Sequence, residues 1–546
     1  MGLLVPSSAD LLFVAMVASL AFTPLAIRLL GDAGAGWHIR TGQQILATHA
    51  IPRVDSFSSG MAGKPWFAWE WLFDVIAGGI ERYGGLNAIV VFTALIIAGT
   101  FAWAFRLMLR RGTHVLIALA IVLLAASASM IHFLARPHVL SWFFTLAWFY
   151  VLDASDVNAG NNLSSNTSSV HSSDGTKAVW LLPALMLVWV NVHGGFLVAF
   201  VLCGIYGFGA WVRWRSLKTE KNADPVLRTA AGKRTKRLAL VTLLSGAATF
   251  CNPYGYRLHQ HIYEYLSNRF LMDRVDEFQS PNFHLVAQKC FAALLLITLA
   301  AFAASVRKAS LSQVLIVLFA AYTGLYGARN IPVSSLLLIL VVGPLLTETI
   351  ADLAERREVA QWLRRLCVSF QNFHSRMVRV DSELRGHLWP VAVAVLAAVI
   401  AGHGGKLEST QWMDARFDAT RFPAAAVDYL QDSGLHDPVL STDSWGGYLI
   451  FRLYPRTRVV VDDRHDFYGE PFFKSYLRMM RVEPEWDDFL HAYDVRCVLL
   501  PKGSPLVNLL RLTTAWKVVY SDNVAVLLLR EEIPAAGLPQ SGPAQH

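Results

Sequence analysis

The sequence predicts an α-helical polytopic membrane bundle of about eleven spans, N-terminus inside and C-terminus outside, followed by an external α/β domain. Three observations predict it. Apolar residues make up 54% of the 546-residue chain and charged ones only 16%, with a mean hydropathy of +0.40. They gather in long runs rather than at a helical or strand period, which is the pattern of membrane spans. From about His403 the character changes to ordinary soluble sequence. This composition excludes a disordered or collagen-like chain, and a formal charge of +8 is too dilute for a nucleic-acid footprint.

The spans fall at Ala9–Ile27, Asn87–Trp103, Val115–Phe133, Val139–Leu152, Val179–Val190, Gly195–Trp211, Leu238–Cys251, Phe291–Val306, Leu311–Tyr326, Ile331–Leu346 and Leu388–Ala401. The first lacks a positively charged leading region, so it reads as an uncleaved span rather than a signal peptide. Orientation follows from basic residues in alternate loops. The loops at 106–111, 153–177, 213–237, 307–308 and 348–386 hold 22 Lys and Arg, against 11 in the others. The first set is therefore cytoplasmic and the second external. The basic loop 213–237 serves as a topology determinant touching anionic lipid, with no nucleic-acid partner. Two sequons, at Asn162 and Asn166, lie in a Ser/Asn-rich stretch placed inside, where they read as a flexible linker. The chain thus divides into a membrane domain (1–402) with a long first external loop (31–85), an external domain (403–532) and a disordered tail (533–546).

Five cysteines, scattered as Cys203, Cys251, Cys290, Cys367 and Cys497, offer no CxxC pair and no metal framework. The external loops hold the unusual residues. The first contains Asp32, His38, Arg40, Asp55 and Glu70; the shorter ones read ARPH (Arg136, His138), VNVHGGF (Asn191, His193), NPYGYR (Asn252, Tyr254) and GARN (Arg329, Asn330). Five segments thereby bring polar groups to one membrane surface, while the spans between 115 and 211 carry no Asp, Glu, Lys or Arg. Such spans lack the mid-depth charges of a coupled transporter and favour chemistry at the outer face. Segment 38–46 reads as a helix in the interface, with Ile39, Ile45 and Leu46 toward lipid.

Isolated carboxylates, Arg, His and aromatics at lipid depth fit sugar transfer from a membrane-anchored phosphate donor. Asp32 is the candidate general base; Arg40, Arg136 and Arg329 are candidate phosphate partners. His38, Asp55, Glu70, His138, Asn191, His193, Asn252, Tyr254 and Asn330 complete the candidate substrate site. The first loop has no DxD, so no cofactor is expected and a divalent metal is not favoured.

The motifs D-x4-WHI-x-TG-x2-IL, IP-x2-DSFS, G-x-PW-x3-EWL, W-x-N-x-HGG, NPYG, WGGYL and VVVDDR, with the long first loop, resemble the GT-C superfamily of polyprenyl-phosphate-sugar-dependent glycosyltransferases. More closely, they resemble a bacterial membrane-protein family placed near those enzymes. The resemblance implies a multi-pass inner-membrane protein with a periplasmic C-terminal domain, an inverting transfer and Asp32 as the catalytic aspartate. Its implied partners are a lipid-linked sugar donor, membrane lipid and an envelope glycan, lipid or protein acceptor. The alternatives are a non-enzymatic or transport role in polysaccharide export, and a ligase or polymerase using a diphosphate-linked oligosaccharide.

In the external domain, strands are expected at 438–441, 458–461, 495–500, 517–520 and 524–529, and helices at 423–432, 470–480, 485–492 and 505–512. Trp445, Asp462, Asp463 and Arg464 lie where α/β domains bind ligands, and are candidate acceptor-binding residues.

Overall fold

A computed structural model describes residues 4–161, 177–305, 309–355, 360–384 and 386–531. The sequon-bearing stretch, the loop at 307–308 and the tail lie outside the described residues. Two compact units emerge, and their division does not follow the order of the chain. One comprises Met1–Leu29 and Trp69–Arg416, the other Leu30–Ala68 with the chain from Phe417 onward. Most of the first external loop therefore belongs with the C-terminal domain instead of with the helices that flank it.

In the first unit every expected span falls on a helix. Among the described residues, five helices are long and apolar enough to cross a membrane: Trp71–Arg110, Val115–His132, Gly194–Thr219, Val286–Ala304 and Ala328–Glu355. Four shorter apolar helices, Ser8–Ala21, Val179–Val192, Leu311–Tyr326 and Leu388–Gly402, join them. Local signals set several of the boundaries. Ser7 and Asp10 cap Ser8–Ala21 reciprocally, as Ser310 and Gln313 cap Leu311–Tyr326. Gly84 and Gly85, the latter at φ +60°, break the 40-residue helix Trp71–Arg110 into a half-polar first part and the apolar span. A Cβ on Gly84 would sit 3.0 Å from the Ala401 carbonyl oxygen, so the kink also lets Leu388–Gly402 approach.

The helix Ile331–Glu355 lies at the core of this unit. Leu336 through Val342 are at most 1% exposed, as an all-round apolar helix requires. It packs against Val115–Ser129, Val286–Ser305 and Leu311–Tyr326. Two expected loops are largely helical. Residues 213–237 extend Leu197–Thr219 and Pro225–Ala248, with Asp224 capping the latter, and the buried Arg234 pairs with Asp156. Residues 361–383 form one amphipathic helix, docked where the His114 ring stacks on Phe370 at 3.5 Å. The small hairpin β1 (Lys406–Leu407) and β2 (Thr410–Gln411) ends the unit.

The second unit holds a four-stranded sheet of β3 (Val439–Leu440), β4 (Cys497–Pro501), β5 (Trp516–Ser521) and β6 (Ala525–Arg530), in the order β3-β4-β6-β5. β3 and β4 are parallel and the other pairs antiparallel. The expected strand at 458–461 makes only isolated bridges, through Val459 to Val439 and to Ser58. Its partner on one side is the short stretch 57–59 of the first loop: Val459 N donates to the Phe57 carbonyl and Ser59 N to that of Val459.

The helix Gly34–Thr48 corrects the interfacial reading of 38–46. Ile39 and Ile45 are 1% and 8% exposed, buried in protein rather than turned to lipid, and the helix lies on Asp443–Leu453. Glycine makes that approach possible. A Cβ on Gly36 would lie 2.2 Å from the Gly447 carbonyl oxygen, and one on Gly447 would lie 2.3 Å from that of Ala33. The Trp445-Gly446-Gly447-Tyr448 segment is accordingly helical, and its glycines form the contact surface.

Candidate functional site

Each unit gathers part of the predicted site. The first holds Glu70, Arg136, His138, Asn191, His193, Asn252, Tyr254, Arg329 and Asn330; the second holds Asp32, His38, Arg40, Asp55, Trp445, Asp462, Asp463 and Arg464.

In the first unit, helix ends assigned to the external side converge. The run Val115–His132 closes in a 3-10 turn, and Arg136-Pro137-His138 starts the next helix. His193 ends Leu182–Val192 in extended backbone, φ −166° and ψ 143°. The glycines after it are sterically required: a Cβ on Gly194 would meet the Trp69 ring at 2.8 Å, and one on Gly195 would meet Ser141 Oγ at 2.6 Å. His193 Nδ1 lies 2.8 Å from Ser141 Oγ and 3.0 Å from the Gly195 amide, and Ser141 Oγ accepts from Trp189 Nε1. His193 Nε2 lies 3.7 Å from Glu70 Oε1 and 3.3 Å from Arg329 Nη2.

Arg329 Nη1 donates to Glu277 Oε1 at 2.8 Å, and its guanidinium lies over the Phe278 ring. Asn330 Nδ2 donates to the Thr323 carbonyl, and His138 Nε2 lies 2.8 Å from the carbonyl of His132. These groups line a cavity of about 120 Å³ with His132, His138, His193, Glu277, Arg329 and Asn330 in its wall. That is room for about four waters or one phosphate-sized group. A guanidinium has five donors in a planar fork, so the contacts to Glu277 and His193 leave edges for an anion.

Glu277 is the site residue that reading the motifs missed. It sits in the long stretch 252–290, away from any motif; its signal is an acid beside an aromatic in a stretch assigned to the external side. Burial pushes its carboxyl up. The nearby Arg329, with His132, Arg136 and His138, more than reverses this and holds it at about 2. Asn191 and Asn252 organise the turns instead. Asn191 accepts from Trp71 Nε1 and donates to the Leu187 and Cys251 carbonyls. Asn252 accepts from the amide of the buried Tyr254 and donates to the Thr249 and Gly255 carbonyls.

In the second unit, Asp32 is half-buried, its Oδ1 accepting from the Gly34 amide at 2.7 Å. His38 is fully buried beside Trp37. Arg40 donates to the Phe451 carbonyl and to Gln43. A buried ion network ties the first loop to the C-terminal segment. Arg464 grips Asp462 through Nε and Nη2 at 2.8 and 2.7 Å and Asp55 through Nη1 at 2.9 Å. It also lies over the rings of Phe57, Trp66 and Phe467. Asp55 accepts from the Ser58 amide and hydroxyl, and Asp462 from the Tyr468 hydroxyl. Trp445 is buried, its Nε1 donating to the Arg421 carbonyl.

The neighbouring His465–Asp443 pair, 2.9 Å apart, gives this unit a pH signature. For both groups burial disfavours the charged form, but their mutual hydrogen bond wins, raising the His465 pKa and lowering that of Asp443. The raised histidine contributes stability in full below its ordinary value of 6.5, and that contribution is lost as pH rises through its folded value. Thermal unfolding between pH 6 and 9 is expected to show a loss of about 1 kcal/mol from this pair. His465→Gln should flatten that slope.

Among the described residues, no three His, Cys, Asp or Glu converge as ligands for a metal ion.

No protein-family model matches the chain, and no curated protein matches its sequence. Solved structures do. The oligosaccharyltransferase AglB of Archaeoglobus fulgidus, in complex with an inhibitory peptide and a dolichol-phosphate, superposes with a TM-score of 0.56 at 10% identity. The match covers 90% of this chain and 69% of that one. An oligosaccharyltransferase of the same organism in the apo form gives 0.53. ArnT of Cupriavidus metallidurans in the apo state gives 0.50 at 14% identity, covering 95% of this chain and 97% of that one. The chain shares their fold. The expected arrangement of apolar helices with a small C-terminal sheet domain is the one these structures share with the chain.

Proposed function

We propose that the chain is a membrane glycosyltransferase that moves a sugar from a polyprenyl-phosphate donor to an envelope acceptor at the external face of the bacterial inner membrane. The observation that carries this reading is the Arg329 cluster. A guanidinium oriented by Glu277 faces a phosphate-sized cavity at the helix ends, in a fold shared with an AglB structure that holds a dolichol-phosphate.

In the proposed reaction an acceptor hydroxyl attacks the anomeric carbon, and the bond from that carbon to the phosphate oxygen breaks with inversion. The hydroxyl proton passes to Asp32, the base assigned by the first-loop resemblance. The leaving phosphate passes from a monoanionic diester to a dianionic monoester, and Arg329 and Arg136 stabilise the added charge as it develops. No metal is invoked. The proposed topology has eleven crossings, a cytoplasmic N-terminus and a periplasmic C-terminal domain.

Purified protein incubated with a series of polyprenyl-phosphate sugars and an envelope lipid extract tests the reading. Transfer of label is expected, and Asp32→Asn should reduce it by about 10²-fold or more. Unchanged turnover in that variant would remove the proposed base.

A further inference from the structure

At the other end of the first unit lies a second, larger cavity that the proposed chemistry does not use. Its volume is about 530 Å³, within the range of small-molecule sites. Val115 lines it, whereas His132, at the far end of the same 18-residue helical run, lines the Arg329 cavity. At 1.5 Å per residue the two lie about 26 Å apart.

One wall is apolar, built from Leu109, Val115, Met377, Val378 and Leu384; the other carries charge. Arg106 is held in place, its Nη2 3.4 Å from His387 Nε2, while His387 Nδ1 lies 3.0 Å from the buried Asp10. Arg110 is exposed and forms no hydrogen bond or ion pair with a described residue. Ser8 Oγ is buried and has no hydrogen-bond partner among the described residues. The one carboxylate in the lining, Asp381, is occupied by the Ser8 amide at 2.7 Å. The helix supplying the apolar wall, Gln361–Glu383, leaves Trp362, Leu366 and Val380 half or more exposed, interspersed with Arg364, Arg365, Arg376 and Arg379. That combination is the signature of a helix lying in a membrane interface.

We infer that this cavity binds one anionic phospholipid, its phosphate between Arg106, Arg110 and Ser8 Oγ and its chains along the Leu109–Met377 wall. Two guanidiniums and an unpartnered hydroxyl suit a phosphodiester, and the apolar wall beside them suits acyl chains. A free phosphate would use the first and leave the second bare.

Native mass spectrometry of the full chain, titrated in detergent with phosphatidylglycerol or phosphatidylcholine of matched chains, tests this. One phosphatidylglycerol is expected to remain bound at concentrations where phosphatidylcholine does not. Each arginine should contribute about fivefold to that preference. Arg110→Gln, at an exposed position that leaves the fold intact, should lower it by that factor, and Arg106→Gln/Arg110→Gln should abolish it. Thermal unfolding of the same samples should rise with phosphatidylglycerol and not with inorganic phosphate. Equal retention of both lipids, undiminished binding by the double variant, or equal protection by inorganic phosphate would overturn the assignment.

Discussion

Arg329→Gln is expected to lower kcat/KM for transfer by about 10²- to 10³-fold, the cost of removing one preorganised donor from a site of developing negative charge. The amide lacks both the charge and the fork that faces the cavity, and it leaves Glu277 without its partner. Arg329→Lys keeps the charge and loses the bidentate geometry, so it should fall between the variant and the parent. Glu277→Gln should be milder: it removes the anchor of the guanidinium and leaves the guanidinium itself. The pair also predicts a flat pH response. A carboxylate held at about 2 contributes stability above the ordinary value of 4.5, lost only as pH falls through the lower one. Rates between pH 5 and 9 should therefore show no ionisation of Glu277. If Arg329→Gln turns over as fast as the parent while remaining folded, the phosphate role of Arg329 is wrong.

The second large effect concerns stability. Arg464→Met is expected to cost the second unit about 3–5 kcal/mol, because it leaves Asp55 and Asp462 as buried carboxylates facing one lost cation. All three side chains are at most 2% exposed, so water cannot compensate. Asp55→Asn should cost less, since Arg464 keeps its two-pronged grip on Asp462. Replacing all three by neutral residues, Arg464→Met with Asp55→Asn and Asp462→Asn, should recover much of the loss. Thermal unfolding in detergent, with limited proteolysis of the first loop, reads each step. The three residues were candidates for substrate and acceptor binding; the network gives them a structural task that these variants measure separately from turnover.

Legibility in the sequence followed the range of the interactions. Apolar runs placed a helix at each of the eleven expected spans, because burial in lipid or core needs only local composition. The HGG motif marked a close packing point for the same reason: the glycines answer to Trp69 and Ser141, and the polar residues beside them stand out against apolar neighbours. The association of Leu30–Ala68 with the C-terminal segment was not legible, since Asp55 and Arg464 give no local sign of one another. The helix Gln361–Glu383 was hidden by its own arginines, which counted toward topology and masked its periodicity. The strand expected at 458–461 is not formed: Val459 alone bridges, to Ser58 of the first loop and to Val439 of β3.

The split make-up of the second unit has a consequence for synthesis. Leu30–Ala68 leaves the ribosome early, and roughly 350 residues follow before Phe417, tens of seconds at about 5–20 residues per second. Through that interval the loop carries Trp37, Ile39, Phe57 and Trp66, all buried in the finished protein, without the C-terminal segment that packs on it there. Asp55 meanwhile lacks Arg464, the cation it pairs with in the finished unit. The network that locks the mature unit is thus absent when the loop is most exposed to proteases and to misassociation, and chain completion is the event that removes the hazard.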